Sequence, residues 1–124
     1  MSGEEPDQVA GCLFCGIVSG DVPATIVHQG ELTVAFRDLN PTAPVHVLVV
    51  PRRHIENAGT IEATDGEVLA AMVTTARAVA EAEGIGLPDH GYRLIFNVGP
   101  DALNSVPHLH LHVVGGRTLD WPPG

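Results

Sequence analysis

His108-Leu109-His110-Leu111-His112-Val113-Val114 alternates imidazole and aliphatic side chains over its first five positions. A period of two marks a half-buried β-strand, because successive side chains leave a strand on opposite faces. One face should carry Leu109, Leu111 and Val113 into a core, and the other His108, His110 and His112 in a row. Next-but-one residues of a strand lie ~7 Å apart, and the outer pair of the row ~13 Å. Zinc holds each nitrogen at ~2 Å, so two neighbours can share an ion but all three cannot without a sharp bend. A central imidazole flanked by supporting groups uses the row better. Neutral imidazole, with an ordinary pKa of about 6.5, is a nucleophile near neutral pH. It needs one ring nitrogen tied as a donor so that the other presents its lone pair. The plain alternative is a polar face that meets solvent.

Working outward, Tyr92–Val98 reads as a strand, followed by a loop through Pro107. Thr64–Glu83 is the one long helix: Val68, Met72 and Val79 recur at helical spacing beside Leu69, Val73, Ala76 and Ala80. Thr64 or Asp65 suits its N-cap and Gly84 its end. Val45–Val50 is a buried strand stopped by Pro51, Thr25–Gln29 and Leu32–Arg37 form a hairpin across Gly30-Glu31, and Leu13–Gly20 is a short helix. Short helix, three strands, long helix, two strands: this order implies an α+β fold with an antiparallel sheet of about five strands. Met1–Ala10, acidic and aperiodic, reads as a disordered tail ahead of one domain over residues 11–124.

Six Lys plus Arg stand against fifteen Asp plus Glu, a formal charge of −9. Polymeric nucleic acid and anionic membranes are poor partners for such a chain, since phosphate backbones demand a basic footprint. A single phosphate can still be held by backbone N–H groups and imidazoles. No run approaches the ~20 apolar residues of a membrane helix. Met1–Gln8 is the opposite of a secretory leader, so the cytoplasm is the expected compartment. There, Cys12-Leu13-Phe14-Cys15 has three readings: a redox pair, two small buried thiols, or half of a zinc site completed by two histidines.

The His108–Val114 stretch resembles the signature of the histidine-triad (HIT) family, and the likeness extends over about Cys12 to Gly124. Phe36-Arg37-Asp38-Leu39 is similar to the family's ribose-binding strand end, and Pro44–Pro51 followed by Arg52-Arg53-His54-Ile55 to its central strand and exit. Phe96-Asn97-Val98-Gly99 resembles the strand bearing the site asparagine. Gly115-Gly116-Arg117 and the terminal Trp121-Pro122-Pro123-Gly124 resemble the Hint branch. The resemblance implies an activity, the hydrolysis of purine nucleoside 5′-monophosphoramidates, that is, AMP–amine adducts. In it His110 attacks the α-phosphorus to give a covalent nucleotidyl-histidine. The His108 carbonyl would orient that ring, His112 would hydrogen-bond the phosphate, and His46 would support the catalytic face. Asp38 would hold the ribose hydroxyls with Leu39 near the base, and Asn97, Asn104 and Ser105 would lie against phosphate or leaving group. It also implies a homodimer with Trp121 docked near the partner's site. No cofactor is needed for the chemistry, and a structural zinc would sit on Cys12, Cys15, His54 and His108.

One departure stands out. Where the family loop usually reads Gly-Gln before the serine or threonine, this chain has Leu103-Asn104-Ser105. Leucine replaces a residue free to take positive φ. That change favours a rival reading, a nucleotide-binding or signalling module with vestigial turnover. Other rivals are a nucleotidyl transferase or dinucleotide hydrolase of the same family and a plain zinc-binding structural protein.

Overall fold

The computed structural model describes residues 8–124, so most of the expected tail lies outside the described residues. Seven main elements follow in the expected order: α1 (Leu13–Ser19), β1 (Ile26–Gln29), β2 (Thr33–Arg37), β3 (Val45–Pro51), α2 (Gly66–Ala82), β4 (Tyr92–Ile95) and β5 (Leu111–Gly115). The five strands form one antiparallel sheet in the order β1-β2-β3-β5-β4. Short 3₁₀ turns at Ala58–Thr60, Ala63–Asp65 and Pro100–Ala102, which the sequence pattern does not announce, shape the loops.

Alternation along β3 and β5 divides the interior in two. Val45, Val47 and Val49 join Leu109, Leu111 and Val113 against Met72, Ala76, Val79 and Ala80 of α2. Leu48 and Val50 face the other way, with Val34 and Phe36, against Phe14 and Ile17 of α1. Because α1 has only seven residues, it covers only part of that second face. The polar remainder of the face carries His46, opposite Val114, and His112, opposite Leu48.

Four expectations need correction. Regular strand pairing begins at Leu111 rather than His108, because β3 ends at Pro51 and the chain then turns away. Leu109 instead donates its N–H to the Ile55 carbonyl, 2.6 Å away. Likewise β4 stops at Ile95 rather than Val98, because its partner β5 offers no ladder beyond that point. Asp65 does sit at the N-cap of α2, but its carboxylate accepts from the Glu62 N–H and from Arg53 instead of capping the helix. Val73, counted with the apolar pattern of the long helix, lies on the exposed side of α2. Gly84 ends the helix region as expected, with φ of 76°.

Candidate active site

Backbone groups whose roles are fixed assign the ring nitrogens of His110 and His46, and His46 in turn assigns those of His112. The His108 carbonyl can only accept, and it lies 2.8 Å from His110 Nδ1. His110 therefore carries its proton on Nδ1 and presents a lone pair on Nε2. The Thr42 N–H can only donate, and it reaches His46 Nδ1 at 3.1 Å. His46 Nε2 lies 2.9 Å from His112 Nδ1. Both rings are thus Nε2–H tautomers when neutral, and His112 Nε2 is a buried donor without a partner among the described residues. The His110 and His112 rings lie 5.1 Å apart, centroid to centroid. Burial, reinforced by the neighbouring His110 and His46, pushes the His112 imidazole down to about 4. Burial also lowers His46, against the pull of the Asp38 carboxylate. A lone-pair nitrogen and an uncharged N–H donor therefore belong to adjacent rings, an arrangement suited to attack on a phosphoryl group whose oxygen is held by hydrogen bond.

His108 does not join that row. It is fully buried and turned toward the cysteines, and Phe14 packs edge-on against both His108 and His110 at 6.0 and 5.1 Å. The Pro51 carbonyl, 3.0 Å from His108 Nε2, places that ring's proton there and leaves Nδ1 as a ligand. His108 Nδ1 lies 3.4 Å from Cys12 Sγ and 3.5 Å from Cys15 Sγ, and His54 Nδ1 lies 3.3 Å from Cys15 Sγ. Bond lengths of ~2.3 Å to sulfur and ~2.0 Å to nitrogen about a tetrahedral centre put ligand atoms ~3.5 Å apart. All four ligand atoms lie within 4.8 Å of one another. The set fits zinc, and four protein ligands leave no open position for catalysis, so such an ion is structural. Of the three readings of the cysteine pair, this geometry favours the metal. Burial pushes the Cys15 thiol up, which disfavours a reactive redox thiol.

Asp38 Oδ2 faces His46 Nε2 at 3.4 Å, while Oδ1 accepts from the Asn40 N–H at 2.8 Å. Leu39 is 91% exposed at the end of the same loop. Asn97 does not point freely into the site: its amide donates to the Ala102 carbonyl at 2.9 Å and holds the loop ahead of the triad. Asn104 donates its backbone N–H to Gly99 in that loop, and Ser105 is exposed beyond it. Trp121 is 80% exposed in this single chain, under the guanidinium of Arg93.

Leu103 occupies the left-handed region at φ 60°, ψ 38°, with its side chain 84% exposed. The strain of that conformation, roughly 1–2 kcal/mol, is offset by little packing. Leu103→Gly should therefore raise stability by about 0.5–1 kcal/mol, net of the added freedom of the unfolded chain, and urea denaturation measures the gain. Three contributors escaped the sequence reading. Thr42 and Pro51 act through backbone atoms that no side-chain pattern reveals. Phe14 is hidden as one apolar residue among several in a short helix.

The HIT domain family matches residues 19–119. A crystal structure of a HIT family hydrolase from Legionella pneumophila Philadelphia 1 superposes with a TM-score of 0.87 at 45% identity, over 92% of this chain and all of that one. The 14 kDa zinc-binding protein of Brassica juncea is 38% identical over 90% of this chain and 98% of its own length. Adenylylsulfatase HINT1 of Arabidopsis thaliana is 37% identical over 90% of this chain and 76% of its own. Histidines gathered at the start of β5, a sheet backed by one long helix, and likeness over nearly the whole chain have one common account: this chain belongs to the histidine-triad family.

Proposed function

We propose that the protein is a hydrolase of the Hint type, acting on purine nucleoside 5′-monophosphoramidates through a nucleotidyl-histidine at His110. The observation that carries this reading is the buried, unpartnered Nε2–H of His112 beside the His110 ring. A buried donor left unsatisfied costs about 1–3 kcal/mol, and a phosphoryl oxygen is the acceptor such an opening suits. The hydrolase and adenylylsulfatase names of the relatives support an adenylyl group on the nucleophile.

In the first step the His110 Nε2 lone pair bonds to the α-phosphorus while the phosphorus–nitrogen bond to the amine breaks, and the amine leaves with a proton taken from solvent. Water then attacks the same phosphorus, the bond to His110 breaks, AMP departs, and the ring recovers its lone pair. His112 donates to the phosphoryl oxygen in both steps. Asp38 and Leu39 take the ribose and base, and Asn97, Asn104 and Ser105 shape the phosphate and leaving-group side. His46 supports His112. A zinc on Cys12, Cys15, His54 and His108 would supply rigidity around the His108 carbonyl rather than chemistry. The enzyme would work in the cytoplasm as a homodimer. The exposed Trp121 and the outer edge of β4 support such a contact.

Phosphorus NMR of the protein with adenosine 5′-phosphoramidate tests the reading. The substrate resonance should be replaced by that of AMP over many turnovers. Tight AMP binding with an unchanged substrate signal would instead support the binding-module reading, which the strained Leu103 favours.

A further inference from the structure

Thr42 has no place in the site expected from the sequence, yet its backbone N–H begins a chain of hydrogen bonds that ends at the unpartnered nitrogen of His112. We propose that the Thr42 amide is a positioning group: through His46 it decides which nitrogen of His112 carries the proton, and so keeps a donor facing the phosphoryl site.

Donor and acceptor chemistry fixes the proton on each ring. An amide nitrogen only donates, and Thr42 N lies 3.1 Å from His46 Nδ1, with the Thr42 hydroxyl at 3.4 Å. His46 Nδ1 is thereby confined to its lone pair, and a neutral ring must then carry hydrogen on Nε2. That hydrogen faces His112 Nδ1 at 2.9 Å, with Asp38 Oδ2 a more distant second acceptor at 3.4 Å. His112 Nδ1 accepts, so the His112 proton resides on Nε2. Donation runs in one direction from the loop to His112 Nε2, and each bond polarises the next. The same contact opposes a doubly protonated His46, because it would set one N–H against another.

The loop is built to hold that amide still. Pro41 and Pro44 have no N–H, so Thr42 and Ala43 carry the only amide donors between residues 41 and 44. Asp38 binds the start of the loop through the Asn40 N–H, and its own N–H donates to the His46 carbonyl at 3.0 Å. Arg117, beyond β5, donates to the Thr42 carbonyl at 3.2 Å. Gly116 makes that reach feasible. It sits at φ 94°, and a Cβ there would lie 2.9 Å from Pro44 Cβ. The Gly115-Gly116-Arg117 motif thus acquires a role as a brace on the relay.

The kinetic arm of the test rests on the proposed hydrolysis; the tautomer arm does not. Long-range proton–nitrogen correlation of the holoprotein with ¹⁵N-labelled histidine reads the protonated nitrogen of each ring directly. At neutral pH, His46 and His112 should both be Nε2–H tautomers. Thr42→Ala keeps the amide and should keep that pattern. Thr42→Pro removes the amide and should give mixed tautomers at both rings. Its kcat should fall about tenfold with KM within about twofold, below the roughly 10²–10³ cost of deleting a donor outright. His46→Phe keeps a ring but removes both nitrogens, and it should also leave His112 mixed. A wild-type His112 protonated on Nδ1 would overturn the inference. So would a folded Thr42→Pro or His46→Phe protein in which His112 keeps its single wild-type tautomer. Should the protein turn over no phosphoramidate, the spectra still decide the relay, so the two failures are distinguishable.

Discussion

His110→Asn should abolish turnover of adenosine 5′-phosphoramidate while AMP still binds. The asparagine amide can still donate to the His108 carbonyl that His110 Nδ1 now contacts at 2.8 Å, so the local fold has a substitute for the lost bond. What it lacks is a nucleophilic lone pair in the place of Nε2. Losing an activated nucleophile costs up to about 10⁶ in kcat, whereas losing one hydrogen-bond donor costs roughly 10²–10³. Ser105→Ala and His112→Ala should therefore be slowed within that smaller range. Steady-state rates give the ranking, and calorimetric titration with AMP shows that the opening survives. Acid quench of the wild type during turnover should leave a nucleotidyl label that peptide mass spectrometry maps to His110. A label on His112 or His46, or wild-type turnover in His110→Asn, would remove the proposed mechanism.

Protein purified without chelator should carry close to one zinc per chain, and losing that zinc should have the largest effect on stability of any single change here. The ligand set is closed and lies in the interior, with His108 fully buried and Cys15 buried. A metal bound only by the folded state, at a free concentration about 1,000-fold above its Kd, adds about 4 kcal/mol. For a chain of this size each kcal/mol moves Tm by roughly 3–6 °C. Cys15→Ser should then lower Tm by more than about 10 °C, with zinc content near zero by mass spectrometry. A strong chelator added to the wild type should give a shift of the same sign. Turnover should fall too, but by less than in His110→Asn, because only the seat of the His108 carbonyl is loosened. A wild-type zinc stoichiometry near zero, with both thiols freely titratable in the native state, would eliminate the metal.

The sequence alone determined the element order, the split of β3 and β5 into apolar and polar faces, and the gathering of histidines on the polar one. These are properties of side-chain type and period, and burial selects on them directly. The ends of elements were less legible. Tyr92–Val98 has the composition of a strand throughout, but only Tyr92–Ile95 finds a partner, and pairing is a property of two segments. The same cause divides the histidine row. His108 and His110 share Leu109 and the same period-two pattern, and Pro107 ahead of His108 does not by itself say which way that ring turns. Only the departure of the chain at Pro51 and the packing of Phe14 turn one ring to the cysteines and leave the other beside His112. The tautomers were decided at the tertiary level alone. They depend on the Pro51 and His108 carbonyls and the Thr42 amide, and nearly every residue carries those backbone groups, so no sequence pattern can mark which of them folding brings to a ring.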